Sequence, residues 1–148
     1  MSYSNLLFHV VFSMKERRPL IEETIRQSLF KYMGGIVREL GGKAFMVNGT
    51  SDHVHLLLSV SPTISVADAM RVIKTNSSRW VHRKWPSKRS FGWQDGYAVF
   101  TVSQSNLRRV FEYIKNQEVH HRRRSFREEL AALLKRHDIP FDERYLTD

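Results

Sequence analysis

The stretch TSDHVHLLLSV, Thr50 to Val60, decides how the rest of the chain is read. Alternate residues of a β-strand share a face. Val54, Leu56, Leu58 and Val60 therefore point one way, toward a core under helices, and His53 and His55 stand side by side on the other face. The apolar half of the alternation anchors the strand; the polar half presents two imidazoles together. Such a pair suits a divalent metal, because each neutral ring offers one nitrogen lone pair. Taken alone, His-x-His more often marks two surface histidines on a half-exposed strand, so it needs a third ligand and a reacting group.

The flanking segments supply the rest of a sheet. Leu6 to Phe12 is short, apolar and β-branched at its centre, and reads as a buried strand. From Ile21 the period changes, with Ile25, Leu29, Met33, Ile36, Val37 and Leu40 at helical spacing and Gly41-Gly42 as a stop. Lys43 to Asn48 reads as a second strand, Gly49 to Asp52 as a turn, and His53 to Val60 as the third strand. A second helix starts after Ser65, with Asp68 completing a cap, and runs to Trp85. A loop follows, then a fourth strand from Tyr97 to Val102. A third helix spans roughly Ser105 to His121. Ser125 and Glu128 form a capping box for a fourth, with Phe126, Leu130, Leu133 and Leu134 as its apolar residues. The order predicts an α+β fold of ferredoxin-like or RRM-like plan: one antiparallel sheet, helices on one face, and additional C-terminal helices.

Composition narrows the function classes. The chain has 148 residues, enough for a single domain with a full core, spanning residues 1–148. Its net charge of +9 points toward a polyanion, nucleic acid being the commonest. With no cysteine there is neither a disulfide nor a thiolate metal site. No apolar segment approaches the ~18 residues of a membrane span, and the opening residues make a poor signal peptide. A cytoplasmic protein without a membrane partner is expected.

The candidate for that group lies in NLRRVFEYIKNQEVHHRRR, residues 106–124. Leu107, Val110, Phe111 and Ile114 form an apolar stripe. Tyr113 and Gln117 are four apart, on one helix face at the border of that stripe. A tyrosine there can keep its ring against protein while its hydroxyl reaches a site, although an amphipathic tyrosine at a core edge is also common.

This arrangement resembles the HUH-endonuclease single-tyrosine transposases, the enzymes of the insertion sequence 200 and 605 type with their REP-associated relatives. The resemblance rests on SDHVHLLLSV, WQDGYAVFTVS, VFEYIKNQEVHH and DERYL, four blocks in the expected order across nearly the whole chain. It implies that Tyr113 is the nucleophile, attacking a DNA phosphodiester to give a 5′-phosphotyrosine link and a free 3′-hydroxyl. It implies that His53, His55 and Gln117 hold one divalent ion against the scissile phosphate. The family points to Mg²⁺; two imidazoles and an amide oxygen also suit Mn²⁺, and zinc fits on ligand type alone. No general base for Tyr113 stands out. The family further implies single-stranded DNA with hairpin structure as substrate and a homodimer, often with the tyrosine helix of one subunit serving the other's histidines. A hinge for that exchange would lie around Phe91 to Asn106.

Basic residues that could meet DNA phosphates are Arg17, Arg18, Lys74, Arg79, Lys84 and the run Arg122, Arg123 and Arg124 directly after the tyrosine helix. Trp80 and Trp85 read as core or helix-edge residues, whereas Trp93, in a loop, is the candidate to stack on an unpaired base. Two other readings stand beside the transposase. A rolling-circle replication initiator or relaxase often carries two tyrosines on this helix, which has only Tyr113. A non-catalytic nucleic-acid-binding module on the same frame would need neither Tyr113 nor the histidine pair.

Overall fold

The computed structural model describes residues 1–121 and 124–146, and for residues 120 and 121 only the backbone. Four strands form one antiparallel sheet in the order β2-β3-β1-β4: β1 Leu7–Ser13, β2 Lys43–Gly49, β3 His53–Ser59 and β4 Ala98–Thr101. The central pair, β1 and β3, are the strands whose sequences read as most apolar. Their positions between neighbours give both edges of each strand a backbone partner.

Helices α1 (Glu23–Glu39) and α2 (Val66–Lys84) cover one face. Val54, Leu56, Leu58 and Val60 meet Ile25, Leu29, Met33 and Ile73 there in one buried cluster, as the alternation predicts. α1 ends where Gly41 takes a positive φ of 82°, a conformation that costs a glycine little. α2 begins at Ser65, whose side chain accepts a hydrogen bond from the Asp68 backbone N–H.

The other face is covered as well. α3 (Leu107–Lys115) lies over β2 and β3, and α5 (Phe126–Arg136) brings Phe126 and Leu133 against Val11 and Phe100. The C-terminal helices thus form a second layer, and β3 is buried on both sides. The capping box of α5 is present in full, between the Ser125 side chain and the Glu128 backbone and back.

One boundary differs from the sequence reading. The segment expected as a single helix from Ser105 to His121 is α3 followed by a break at Asn116 and a short α4, Gln117–His121. The break has a visible cause: the Asn48 side-chain amide donates to the carbonyls of Ile114 (3.0 Å) and Lys115 (3.1 Å). A side chain from β2 thereby satisfies the orphan acceptors at a helix end.

The β2–β3 turn is tight. A methyl group on Gly49 would stand 2.2 Å from the His53 carbonyl oxygen and 2.9 Å from the Val54 Cα, so only glycine fits without moving backbone. Gly49→Ala is expected to lower stability by ~1–3 kcal/mol in urea unfolding, the usual cost of overpacking. It should also displace His53.

Candidate active site

The two histidines are not surface residues of a half-exposed strand: His53 and His55 are both 0% exposed, sealed beneath α3 and α5. Burial of so many polar atoms requires partners, and each ring has them on both sides. His53 Nδ1 lies 2.8 Å from Asp52 Oδ1 and 3.0 Å from Thr50 Oγ1, both supplied by the turn that starts its own strand. His55 Nδ1 lies 2.8 Å from Nε2 of His9. His9 stands on β1 two residues from Val11, the cross-strand partner of His55, so the two imidazoles share a face and stack.

With both Nδ1 atoms engaged, both Nε2 atoms aim at one point. Gln117 Oε1 is 3.2 Å from His53 Nε2. Glu129 of α5 approaches both rings, its Oε1 at 3.1 Å from His55 Nε2 and 3.5 Å from His53 Nε2. Its other oxygen accepts hydrogen bonds from the Gln117 amide (3.2 Å) and from the Tyr113 hydroxyl. One ligand atom each from His53, His55 and Glu129 can be chosen so that all lie within 4.8 Å of one another. Tyr113, His53, His55 and Gln117, separated by up to 64 positions in the chain, therefore meet.

The electrostatics follow from this packing. Burial alone would lower the basicity of His53, but hydrogen bonds to Asp52 and Glu129 and their charges outweigh it, so its pKa is raised. Burial works to raise Asp52, yet the bond to His53 and its charge hold the carboxyl below its ordinary value, with Thr50 and Arg17 contributing. His9 is driven well below its usual value by burial and by His55, and stays neutral. Tyr113 moves strongly upward, first through burial and then through the Glu129 charge beside it. In this arrangement the phenol is held protonated.

Three contributors escaped the sequence reading: Glu129, Asp52 and His9. Glu129 carried a signal. It falls three residues after Phe126 and four before Leu133, on the apolar stripe of α5, where a carboxylate is out of place unless it has buried partners. Asp52 was read only as a turn residue, and His9 only as part of an apolar run; nothing local marks either.

The residues proposed for DNA contact fare unevenly. Lys74 donates to the carbonyls of Gln94 (2.6 Å) and Gly96 (2.7 Å), and so pins a loop rather than presenting a solvated charge. Trp93 is a correction: it is 9% exposed, packed edge-on against Phe12 and Phe91, with its indole N–H donated to Ser77. Its ring is core and offers no face to a base. Arg79 and Lys84 are exposed on α2, across the sheet from the histidines. Arg18 is exposed after β1, and Arg17 is half-buried over the Phe126 ring beside Asp52. Arg124 is exposed and close enough to act on Tyr113. Arg122 and Arg123 lie outside the described residues. Among the described residues no helix is long and apolar enough to cross a membrane.

A tyrosine, a strand-borne histidine pair and an acid buried on a two-layered antiparallel sheet define the class in which relatives should be sought. The family model for IS200-like transposases matches residues 2–117, and the chain belongs to that family. It is 30% identical over 123 residues to the transposase of insertion sequence element IS200 from Salmonella typhimurium, covering 76% of this chain and 77% of the relative. With the ISDra2 transposase TnpA of Deinococcus radiodurans it shares 26% identity over 117 residues, covering 76% and 84%. Among solved structures it is similar to a putative transposase from Deinococcus radiodurans (TM-score 0.63, 24% identity, 78% and 93% of the two chains). It is also similar in fold to a REP-associated tyrosine transposase bound to a REP hairpin (TM-score 0.61, 15% identity, 82% and 72%).

Asp52→Asn should leave the fold intact but loosen the orientation of His53. The His53 pKa followed by NMR titration is expected to fall, because the hydrogen bond and charge of Asp52 raise it.

Proposed function

We propose that this transposase nicks and rejoins single-stranded DNA through a covalent 5′-phosphotyrosine link at Tyr113, with hairpin-ended DNA as its substrate and Mg²⁺ or Mn²⁺ as its cofactor. The observation that carries the reading is the meeting of the Tyr113 hydroxyl with the histidine pair in one buried cluster. The hairpin-bound relative supports the substrate class.

The donor set fits a divalent ion. His53 and His55 offer two ring nitrogens, Gln117 an amide oxygen and Glu129 a carboxylate, all buried and converging. The carboxylate alters the expectation of a wholly neutral set; mixed nitrogen and oxygen donors suit Mn²⁺ well and Mg²⁺ adequately. Bound there, the ion would polarise the scissile phosphate and neutralise its developing charge.

The chain's own groups do the remainder. The Tyr113 oxygen attacks phosphorus, the bond to the 3′-oxygen breaks, and that oxygen leaves as a hydroxyl after taking up a proton. The phenolic hydrogen points at Glu129, which sets the direction in which the proton departs. A phenol with an ordinary pKa near ~10 needs such an acceptor at neutral pH. Because the phosphotyrosine stores the energy of the broken bond, a 3′-hydroxyl can reverse the attack without ATP.

Tyr113 lies against the histidines of its own chain, so one protomer contains every residue in the scheme. A homodimer would then pair two complete sites, and light scattering would establish its presence.

A denaturing gel of the protein with single-stranded DNA from the flanks of its gene tests the reading. A slow-migrating adduct is expected with Mg²⁺ and not with chelator. Tyr113→Phe should abolish it while leaving the DNA dissociation constant within about twofold, since only one hydroxyl is removed. His55→Ala should reduce cleavage and its metal response together. A persistent adduct in the Tyr113→Phe protein would sink the assignment. Metal-independent binding with no adduct on any hairpin would favour the non-catalytic module instead.

A further inference from the structure

Beside the tyrosine, on the side of the β1–β4 edge, a cavity of about 590 Å³ opens between α3 and α5. That volume lies within the ~300–1,000 Å³ of small-molecule sites. Its walls are two matching helix faces. From α3 and its N-cap come Asn106, Arg109, Val110 and Tyr113, spaced as one stripe. From α5 come Glu129, Ala132, Leu133 and Arg136, with the same spacing. The two stripes touch where Tyr113 donates to Glu129. Arg109 then stands one helical turn from the tyrosine, roughly 6 Å along the axis, and Arg136 two turns from the glutamate, roughly 10 Å.

Charge and polarity are unevenly divided along this cleft. Away from the tyrosine it carries Arg109 and Arg136, Arg124 lies close enough to act on Tyr113, and Glu129, at the deep end, is the sole carboxylate among the described lining residues. Among the described residues, neither Arg109 nor Arg136 is ion-paired to a carboxylate. Both are exposed, so neither is needed to hold the core. Val110, Ala132 and Leu133 supply apolar wall to the same cleft. His137, stacked on Phe100, borders the opening. Such a site asks for a ligand with an anionic end, a flat apolar body, and a point of attachment at Tyr113.

We propose that the α3–α5 cleft is a subsite for one unpaired nucleotide adjoining the scissile phosphate, its far phosphate held by Arg109 and Arg136 and its base laid on the Val110–Leu133 wall. The inference rests on the reading of Tyr113 as the nucleophile, which supplies the near phosphate. It adds a reason for single-stranded substrate: a base paired in a duplex cannot enter a slot between two helices. Planar guanidinium groups suit phosphate oxygens through paired hydrogen bonds.

The test measures binding by fluorescence anisotropy of a single-stranded flank oligonucleotide to the full chain in chelator, where no cleavage competes, over a series of salt concentrations. Arg109→Ala and Arg136→Ala are each expected to weaken binding about tenfold. Removing both should reduce the slope of log K against log salt by ~0.7, the loss of one neutralised phosphate on a single strand, and each single variant should reduce it by part of that. Arg136→Lys should restore part of the affinity, and thermal melts should match the native chain. An abasic site moved through the positions around the cleavage point should weaken binding at one adjoining position. Its effect and that of Arg136→Ala should fall short of additive, because both act through one nucleotide.

Unchanged affinity and slope in both arginine variants would overturn the subsite. So would altered slopes with no sensitive abasic position, which would leave a phosphate contact without a base pocket. The two readings separate cleanly. Arginine-dependent, abasic-sensitive binding without any Tyr113 adduct would keep the subsite and remove the cleavage chemistry. Adduct formation with native affinity and slope in the arginine variants would do the reverse.

Discussion

A carboxylate buried against two imidazoles organises this molecule. Glu129 is 1% exposed, and an isolated anion at that depth would be strongly unfavourable. It is tolerated because hydrogen bonds converge on it from Tyr113 and Gln117 while both histidine rings stand against it. The dependence runs the other way as well. Without α5, which carries Glu129, the polar face of β3 would keep only the cover of α3 and the two histidines would lose their shared carboxylate. The capping box at Ser125 and the contacts of Phe126 and Leu133 fix where that helix starts and how it lies. A terminal helix therefore completes a site whose other members belong to the sheet and to the tyrosine helix.

The second constraint is orientation. Each histidine is gripped at Nδ1, one by the turn before its strand and the other by His9 across the sheet. A ring held at one nitrogen can present the other in only one direction, so two independent grips yield a converging pair. The helix break at Asn116 belongs to the same arrangement. Asn48, the cross-strand neighbour of His55, ties off α3 by its carbonyls, and the chain restarts at Gln117 with its amide over His53. Strand register, helix end and site geometry are thus set by one another.

The same cluster also restrains Tyr113. A half-buried phenol beside a buried carboxylate resists ionisation, first through burial and then because losing its proton to anything but that carboxylate would put two negative charges in contact. A divalent ion among these donors would offset that repulsion and bring the phosphate to the tyrosine at once. Any cation held there would therefore be coupled to the Tyr113 proton through Glu129. Beyond the tyrosine the cavity walls carry Arg109 and Arg136.

Much of this was legible in the order of residues. The alternation in β3, the helical periods of α1 and α2, the caps at Ser65 and Ser125, and the pairing of Tyr113 with a histidine motif are local patterns, and each element formed where its pattern stood. The four family blocks carried the class of protein. What lay beyond local pattern was decided by packing. Whether the histidine face is open or covered depends on where α3 and α5 fold back, and a helix's own period does not say which side of a sheet it will take. Trp93 looked like a loop tryptophan and is core, because the loop turns inward over Phe12. Glu129 and His9 acquire their roles only through neighbours distant in sequence or across the sheet, and Asp52 only because the turn folds its carboxylate back onto the buried ring of His53. Local sequence determines where strands and helices form, through periodicity and capping; the tertiary structure alone decides which polar groups share a buried site, because desolvation makes each of them depend on partners from other elements.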